Sequence, residues 1–220
     1  MDVEAGAELG QKRVMRLRPL TIALLLIAVG TGTARAHPHG WIDIRTEVLA
    51  DADGRVTALR QAWLFDELYS AFILDEFEVE GLGREAGLAR LLEQDITALA
   101  PFDYFTRVEV EGAPQELGAA RAYANGVAAG RIWLRFELPL AEPVDPTAGA
   151  LRYAVFDPTY FIEVLHQGDA PVVLGEPLAE RCAVAVVEPD PPAEIVSFAA
   201  MLDRTAQPDD GLGAHFAQWV

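Results

Sequence analysis

Two of the four histidines, His37 and His39, flank a single proline, Pro38. If a leader is cleaved after Ala36, His37 becomes the first residue and offers both its free α-amine and its ring nitrogen to a metal. The reference pKa of an α-amine is about 8, so a metal ion can displace its proton at neutral pH. Pro38 favours an extended conformation at His37, and in extended chain the two histidines point to the same side, about 6.6 Å apart. Two imidazoles can converge on one ion from this stretch.

The donor atoms of this stretch limit which metal fits. Imidazole and amine nitrogens suit nickel, cobalt, copper or zinc, and do not suit calcium or magnesium. Pro38 has no amide N–H, which excludes the copper site that needs deprotonated amides at positions two and three. Asp43 lies about 13 Å beyond His39 in extended chain, too far to share its ion. We therefore expect a transition-metal site with His37 and His39 as ligands, against the alternative of an N-terminal tail without a ligand.

Four further residues are secondary candidates for a site: Asp66, Glu67, Asp157 and His166. Each also has a structural interpretation. Asp66 can cap a helix, and Glu67 in its first turn suits the helix dipole. Asp157 precedes a proline and is typical of a turn in which the side chain bonds its own backbone. His166 follows an apolar stretch and is expected to be a solvated loop histidine.

The common catalytic motifs are missing. The sequence contains no G-x-S-x-G, no H-E-x-x-H, no glycine-rich phosphate loop and no C-x-x-C. The single cysteine, Cys182, lies in an apolar run and is expected in a buried strand, where a nucleophilic role is not favoured. We expect a protein that is not an enzyme. An enzymatic alternative is a copper oxidase that uses His37 together with a distant histidine, either His166 or His215.

The first 36 residues have the pattern of a secretory signal. Basic residues precede an apolar run from Leu20 to Val29, and Ala34-Arg35-Ala36 follows it. This predicts a signal peptide over residues 1–36, cleaved after Ala36, with Met15 as an alternative start. The run is shorter than the roughly 20 residues that span a bilayer, and no other run of that length follows. We expect a periplasmic protein without a membrane span in the mature chain.

Length and charge restrict the remaining possibilities. Of the 220 residues, 51% are hydrophobic, enough for a substantial core, and residues 37–220 are expected to form a single exported β-rich domain. That part has 12 Lys+Arg against 31 Asp+Glu, a net charge of −19. Such a surface argues against nucleic-acid binding, which needs basic charge to meet phosphates. It is compatible with weak attraction of cations.

The hydrophobic pattern indicates a mixed fold. Alternation on both sides of Asp51–Gly54 predicts a β-hairpin, and helical spacing from Phe65 to Phe77 and from Leu88 to Leu99 predicts two helices. Further strands are predicted at 106–110, 132–138, 151–155, 160–165, 172–174 and 182–187, followed by a helix after Pro191-Pro192 and a short one over 212–218. The sum is an α+β fold, a mainly antiparallel β-sandwich-like domain with a two-helix insertion after the first hairpin and a helical C-terminal tail.

Four motifs in order carry a family resemblance. They are His37-Pro38-His39 leading into Trp41-Ile42-Asp43, then Trp63-Leu64-Phe65-Asp66-Glu67-Leu68-Tyr69-Ser70, then Phe102-Asp103-Tyr104-Phe105, and Phe156-Asp157-Pro158-Thr159-Tyr160-Phe161. The chain resembles the bacterial domain-of-unknown-function family numbered 1007. Members are described as periplasmic components of uncharacterised ABC-type transport systems, often associated with nickel/cobalt-type permeases. The resemblance implies a transport context and supplies no catalytic residues.

Three functional hypotheses follow. The leading one is a periplasmic accessory or binding protein of a transition-metal transport system that binds nickel, cobalt, zinc or copper and exchanges the ion with an inner-membrane metal permease or ABC-type transporter. The second is a metal-free sandwich domain that binds proteins within a transport complex. The third is the copper oxidase with an N-terminal histidine.

Overall fold

The first two strands form the hairpin that the alternating pattern predicts. The computed structural model describes residues 38–202 and 211–220. Strand β1 (Gly40–Ala50) and strand β2 (Val56–Phe65) pair in antiparallel register around a turn at Asp51, whose carboxylate accepts the backbone N–H groups of Asp53 and Arg55. Gly54 takes a φ of +80°, a conformation that favours glycine. The Asp51 hydrogen bonds and the glycine conformation at Gly54 therefore stabilise the hairpin turn.

The remaining elements follow in chain order. The further strands are β3 (Thr106–Val110), β4 (Ala113–Pro114), β5 (Arg121–Ala128), β6 (Arg131–Val144), β7 (Leu151–Val155), β8 (Ile162–His166) and β9 (Val172–Leu174). The α-helices are α1 (Glu67–Val79), α2 (Arg84–Leu99) and α3 (Ala193–Met201). Short 3₁₀ helices cover Ala100–Phe105, Leu178–Glu180 and Gly213–His215.

The strands form two sheets. The larger has six strands in the order β5-β6-β2-β1-β8, with β9 also pairing with β1, and the smaller has the order β4-β3-β7. Most pairings are antiparallel, but β8 and β9 both run parallel to β1. Strand β1 therefore has an antiparallel neighbour on one side and two parallel neighbours, end to end, on the other.

The core lies between the inner face of the large sheet and the small sheet. Residues of both sheets belong to one buried cluster, among them Ile44, Trp63 and Phe136 of the large sheet and Val108 and Tyr153 of the small one. Alternation along each strand directs these side chains inward. Their burial supplies the main favourable free energy of folding.

A buried chain of hydrogen bonds joins the sheets through this core. The indole of Trp63 donates to Gln61 (2.8 Å), the Gln61 amide donates to the Thr106 hydroxyl (2.8 Å), and that hydroxyl donates to the Tyr104 carbonyl (2.9 Å). Each polar group inside the apolar core therefore has a partner, which offsets the cost of its burial.

Helices α1 and α2 cover the end of the same inner face. Phe77 of α1, Leu91 of α2 and Ile132 of β6 form a second buried cluster. The fully buried hydroxyl of Ser70 accepts the backbone N–H of Ile132 at 2.9 Å. The helical insertion thus completes the second layer beside the small sheet.

The α+β, sandwich-like fold class and the two-helix insertion are confirmed. Three local predictions were wrong. Strand β5 has an irregular pattern and was not predicted; residues 182–187 are mostly exposed, with a single bridge at Val187; and only Gly213–His215 is helical in the last predicted helix. Within residues 38–202 and 211–220, no helix is long and apolar enough to cross a membrane. The predicted signal peptide lies outside the described residues.

The contact between Ser70 and Ile132 yields a stability prediction. We expect Ser70→Ala to lower the free energy of unfolding by about 1–3 kcal/mol, because it leaves a buried N–H without an acceptor. Urea unfolding followed by circular dichroism measures the change. The matched control is Ser197→Ala on α3, where the exposed hydroxyl bonds the Ala193 carbonyl one turn earlier; there we expect a change within about 0.5 kcal/mol. Equal losses in both variants would contradict the assignment.

Candidate functional site

His39 lies at the start of β1, where the chain enters the large sheet. Its backbone N–H donates to the Phe161 carbonyl at 2.8 Å, and its ring lies 4.8 Å from the Phe161 ring, centroid to centroid. Its Nε2 is shielded from solvent. His37, the other predicted ligand, lies outside the described residues. The structure therefore places one of the two histidines, in an ordered position against the segment that precedes β8.

The neighbouring residues of β1 tie this edge together. The indole N–H of Trp41 donates to the Glu163 carboxylate of β8 at 3.0 Å. Asp43 forms an ion pair with Arg131 of β6 at 2.8 Å, and Arg131 also donates to the carbonyls of Leu64 and Phe65. These contacts connect β1, near His39, with β8, β6 and β2.

Asp66 lies at the same end of the sheet as His39. One carboxylate oxygen accepts the backbone N–H of Tyr69 at 2.8 Å, which caps α1, and the other accepts the backbone N–H of Trp41 at 3.2 Å. A Cβ built on Gly40 would come within 3.7 Å of that second oxygen. Asp66 therefore performs the capping that its position predicts and also anchors β1. Glu67 is exposed in the first turn of α1.

Asp157 organises the turn before β8. It is 5% exposed, and its carboxylate accepts the N–H and the hydroxyl of Thr159, each at 2.9 Å, and the N–H of Ile162 at 3.0 Å. These bonds confirm the turn interpretation. They also fix the position of Phe161, on which the His39 ring lies. Asp157 therefore stabilises the segment that His39 contacts, and its carboxylate oxygens are already bonded to Thr159 and Ile162.

His166 is buried, so the expectation of a solvated loop histidine was wrong. Its Nε2 lies 3.2 Å from the Tyr153 hydroxyl and 3.5 Å from the Thr46 hydroxyl. Its backbone N–H donates to the Gln218 side chain, which in turn donates to Glu188 at 3.0 Å. Alternation along β8 turns His166 inward because Val164, two residues earlier, belongs to the core.

Burial sets the charge state of this polar cluster. It lowers the pKa of His166 to about 4, against a smaller opposing influence from Gln218 and Glu188. Burial also raises the pKa of the Tyr153 hydroxyl. Both side chains are therefore neutral near pH 7, as suits a pair that shares a hydrogen bond inside the protein.

Sequence reasoning missed a half-buried acid on α2. Burial raises the pKa of Asp95 to about 6, and burial together with the nearby charges of Asp95, Asp66 and Glu76 raises the pKa of Tyr69 to about 12. The sequence could have indicated this burial, because position 95 lies on the same helix face as the apolar residues Leu91 and Leu92. Below about pH 6 a proton would compete with a metal ion for this carboxylate.

The described residues contain no group of three or more His, Cys, Asp or Glu side chains able to hold a metal ion. Of the predicted secondary residues, Asp66 bonds β1 beside His39, and Asp157 holds the turn that contains Phe161. Asp157 and His166 serve a turn and a buried cluster, and Glu67 faces solvent. The candidate site is therefore the N-terminal edge at His39, two residues before Trp41, to which the carboxylates of Asp66 and Glu163 are bonded.

The depressed pKa of His166 makes stability depend on pH. The pKa of His166 is about 6.5 in the unfolded chain and about 4 in the folded chain. The contribution of His166 to the free energy of unfolding is therefore fully present above pH 6.5 and is lost as the pH falls toward 4. The full loss is about 3 kcal/mol. The raised pKa of Asp95 makes the free energy of unfolding change with pH in the opposite direction. To remove this effect, we compare Asp95→Asn with the double variant Asp95→Asn/His166→Gln by urea unfolding from pH 4 to 7.

The double variant should lose the dependence on pH across this range. A second measurement does not depend on the variant folding well: the NMR shifts of the His166 ring should stay those of a neutral imidazole at pH 5. A ring that titrates near 6.5 would overturn the burial argument.

Comparison with known proteins gives one match. A family model described as Protein of unknown function (DUF1007) matches residues 22–220. No curated protein and no solved structure matches the chain. The four motifs that suggested the resemblance all fall within the matched range, which covers nearly the whole sequence. The chain therefore belongs to the DUF1007 family of proteins of unknown function.

Proposed function

We propose that this protein is a periplasmic accessory protein of a transition-metal transport system and binds one nickel, cobalt, zinc or copper ion at its N-terminal edge. The observation that supports the proposal is the ordered position of His39. Its backbone is bonded to Phe161 and its ring lies against the Phe161 ring, two residues after the predicted mature start. The ligand is therefore held on a rigid sheet edge.

An anchored His39 makes a two-histidine site more favourable. A metal site formed by two loose residues must order both of them, at a cost in conformational entropy. Here His39 is already held against Phe161, and the amine and ring of His37 can close a chelate on the same ion. The sheet edge supplies the preorganised second donor.

The charge around this edge also favours a cation. The carboxylates of Asp66 and Glu163 both contact Trp41, one through its backbone and one through its indole. Residues 37–220 have a net charge of −19, which raises the local concentration of cations at the surface. In this proposal the two carboxylates attract the ion and the histidine nitrogens bind it.

The proposed partner is an inner-membrane metal permease or ABC-type transporter. An ion held by two or three nitrogen donors at a chain terminus can pass to a second protein by stepwise exchange of ligands. A site enclosed in the core would lack this route. The terminal position thus fits a carrier better than a storage site.

Calorimetric titration tests the metal site. Protein that starts at His37 is titrated with Ni²⁺, Zn²⁺ and Cu²⁺ separately, and we expect one ion per chain. His39→Ala and the addition of a glycine before His37 should each weaken binding by about tenfold or more, because each removes a nitrogen donor or displaces the amine.

The matched control is His215→Ala, which removes an exposed histidine from the 3₁₀ helix near the C-terminus. It should bind metal like the unchanged protein. Equal affinity in the His39→Ala and His215→Ala variants would refute the N-terminal site.

A second candidate function, a metal-free domain that binds proteins, is favoured by the surface of α1. Leu68, Phe72 and Val79 lie at helical spacing and are exposed by 81%, 67% and 80%. Exposed apolar stripes of this kind mark interaction surfaces. The helix has no basic residue, and its acidic residues are Glu67, Asp75, Glu76 and Glu78. A partner with apolar and basic side chains would match it.

The copper-oxidase alternative has less support. It needs His166 or His215 beside His37. The His166 ring is enclosed by Tyr153 and Thr46 in the core, and His215 is exposed on the 3₁₀ helix Gly213–His215. We do not propose this activity.

Site-specific photocrosslinking tests the α1 surface. A benzophenone amino acid at position 72 should crosslink to a membrane transport protein in cells, whereas the same group at exposed Glu93 on α2 should not. Phe72→Glu should abolish the crosslink formed from position 68 and leave stability within about 0.5 kcal/mol, because the side chain is exposed. Identical products from positions 72 and 93 would contradict a specific surface.

A further inference from the structure

A pocket lies between the outer face of the large sheet and helix α3. Trp41 of β1 and Glu163 of β8 are opposite each other in the parallel pairing of these strands. Their neighbours Ile42 and Val164 belong to the core, so alternation directs Trp41 and Glu163 to the outer face. Both line a cavity of about 250 Å³ together with residues of α3. Pockets for drug-sized ligands measure about 300–1,000 Å³, so this cavity suits a smaller solute.

Aromatic side chains form much of the pocket lining. Trp41, Tyr160 and Phe216 all line it, and the rings of Tyr160 and Phe216 are stacked with centroids 3.8 Å apart and planes 9° apart. Trp41 is 46% exposed, so part of its side chain is accessible to a solute. Helix α3 contributes the small side chains of Ala199 and Ala200, which leave room beside the rings. The pocket therefore offers aromatic surface to a ligand that has apolar groups of its own.

One carboxylate lies within this aromatic lining. Among the described lining residues, Glu163 alone has a charged side chain. Its carboxylate accepts the indole N–H of Trp41 at 3.0 Å and the hydroxyl of Tyr160 at 3.4 Å. A carboxylate has about four acceptor positions, so these two bonds leave capacity for a ligand. Glu163 forms no ion pair with another described residue, and its negative charge is not balanced within that part of the chain.

This combination of groups selects one class of cation. A metal ion needs several donor atoms, and the described residues provide no group of three or more metal-binding side chains. A compact ammonium is strongly hydrated, and aromatic carbon does not replace its water. A methylated ammonium has an apolar surface and a positive charge that the faces of aromatic rings attract. A carboxylate at the same place adds the opposite charge.

We propose that this pocket binds a small methylated ammonium solute. The methyl groups contact the side chains of Trp41, Tyr160 and Phe216, and the Glu163 carboxylate pairs with the positive charge. The hydrogen bonds from Trp41 and Tyr160 hold this carboxylate in place before the ligand binds, which reduces the cost of ordering it. None of the described histidines lines the pocket, so the proposal does not depend on metal binding at the N-terminal edge.

Titration with choline and with its neutral isostere 3,3-dimethyl-1-butanol tests the proposal. The two molecules have nearly the same shape, and carbon replaces the charged nitrogen in the second. The readout is the NMR signal of the Trp41 indole N–H, which is assigned by its loss in Trp41→Phe, and EDTA is present to remove metal ions. We expect choline to shift this signal with a Kd of about 1 mM or below, and the isostere to bind about tenfold more weakly or less.

Two substitutions of glutamate by glutamine separate the pocket from the general charge of the protein. Glu163→Gln removes the charge and keeps an oxygen that can accept the same hydrogen bonds, and it should weaken choline binding by about tenfold. The matched control is Glu194→Gln, which removes an exposed acid from the first turn of α3, outside the pocket lining. This variant should bind choline like the unchanged protein.

A third variant tests the space in the pocket. Ala200→Leu places a larger side chain in the lining and should abolish the shift of the Trp41 signal, with circular dichroism as the check on folding. The comparison of choline with its isostere needs no variant, so it decides the proposal even if a substitution disturbs the fold. Equal affinity for the two molecules, equal effects of the two glutamine substitutions, or no saturable shift would each overturn the proposal.

Discussion

The register of β1 is the constraint on which the rest of the structure depends. This strand pairs with β2 on one side and with β8 and β9 on the other, and its alternation sends Ile42, Ile44 and Thr46 inward and Asp43 outward. A slip by one residue would reverse every one of these side chains. The ion pair of Asp43 with Arg131 would then point into the apolar core, at a large cost in desolvation.

The same register links the N-terminal edge to the buried polar cluster. Gly40 lies opposite Ile162 and Ile44 lies opposite His166, so the two ends of β8 are set by one parallel pairing. Parallel strands need a long connection, and the chain reaches β8 only after the turn that Asp157 organises. His39 contacts Phe161 within that turn. The placement of one N-terminal residue therefore depends on contacts made more than 100 residues later.

These long-range pairings mark the limit of what the sequence could predict. The hairpin, the Asp66 cap and the two inserted helices follow from alternation, helical spacing and turn residues, which are local. Residues 182–187 have the composition of a buried strand, but a strand is buried only if a neighbour covers it. His166 shows the same limit, since its burial follows from Tyr153 and Thr46, whose proximity no local pattern reveals. The sequence identified His37 and His39 through the predicted cleavage site, and only His39 lies in the described part of the chain.

The bonding of the acidic and histidine candidates narrows where metal chemistry can occur. Asp66 would have to give up a helix cap or its bond to Trp41 to bind an ion, and Asp157 would have to release the turn before β8. His166 would have to leave a neutral, buried hydrogen bond. Each exchange removes a bond that already stabilises the fold, at roughly 1–3 kcal/mol per unsatisfied group. The proposed site at His37 and His39 leaves all of these bonds in place, which is the physical reason to propose a transferable ion there.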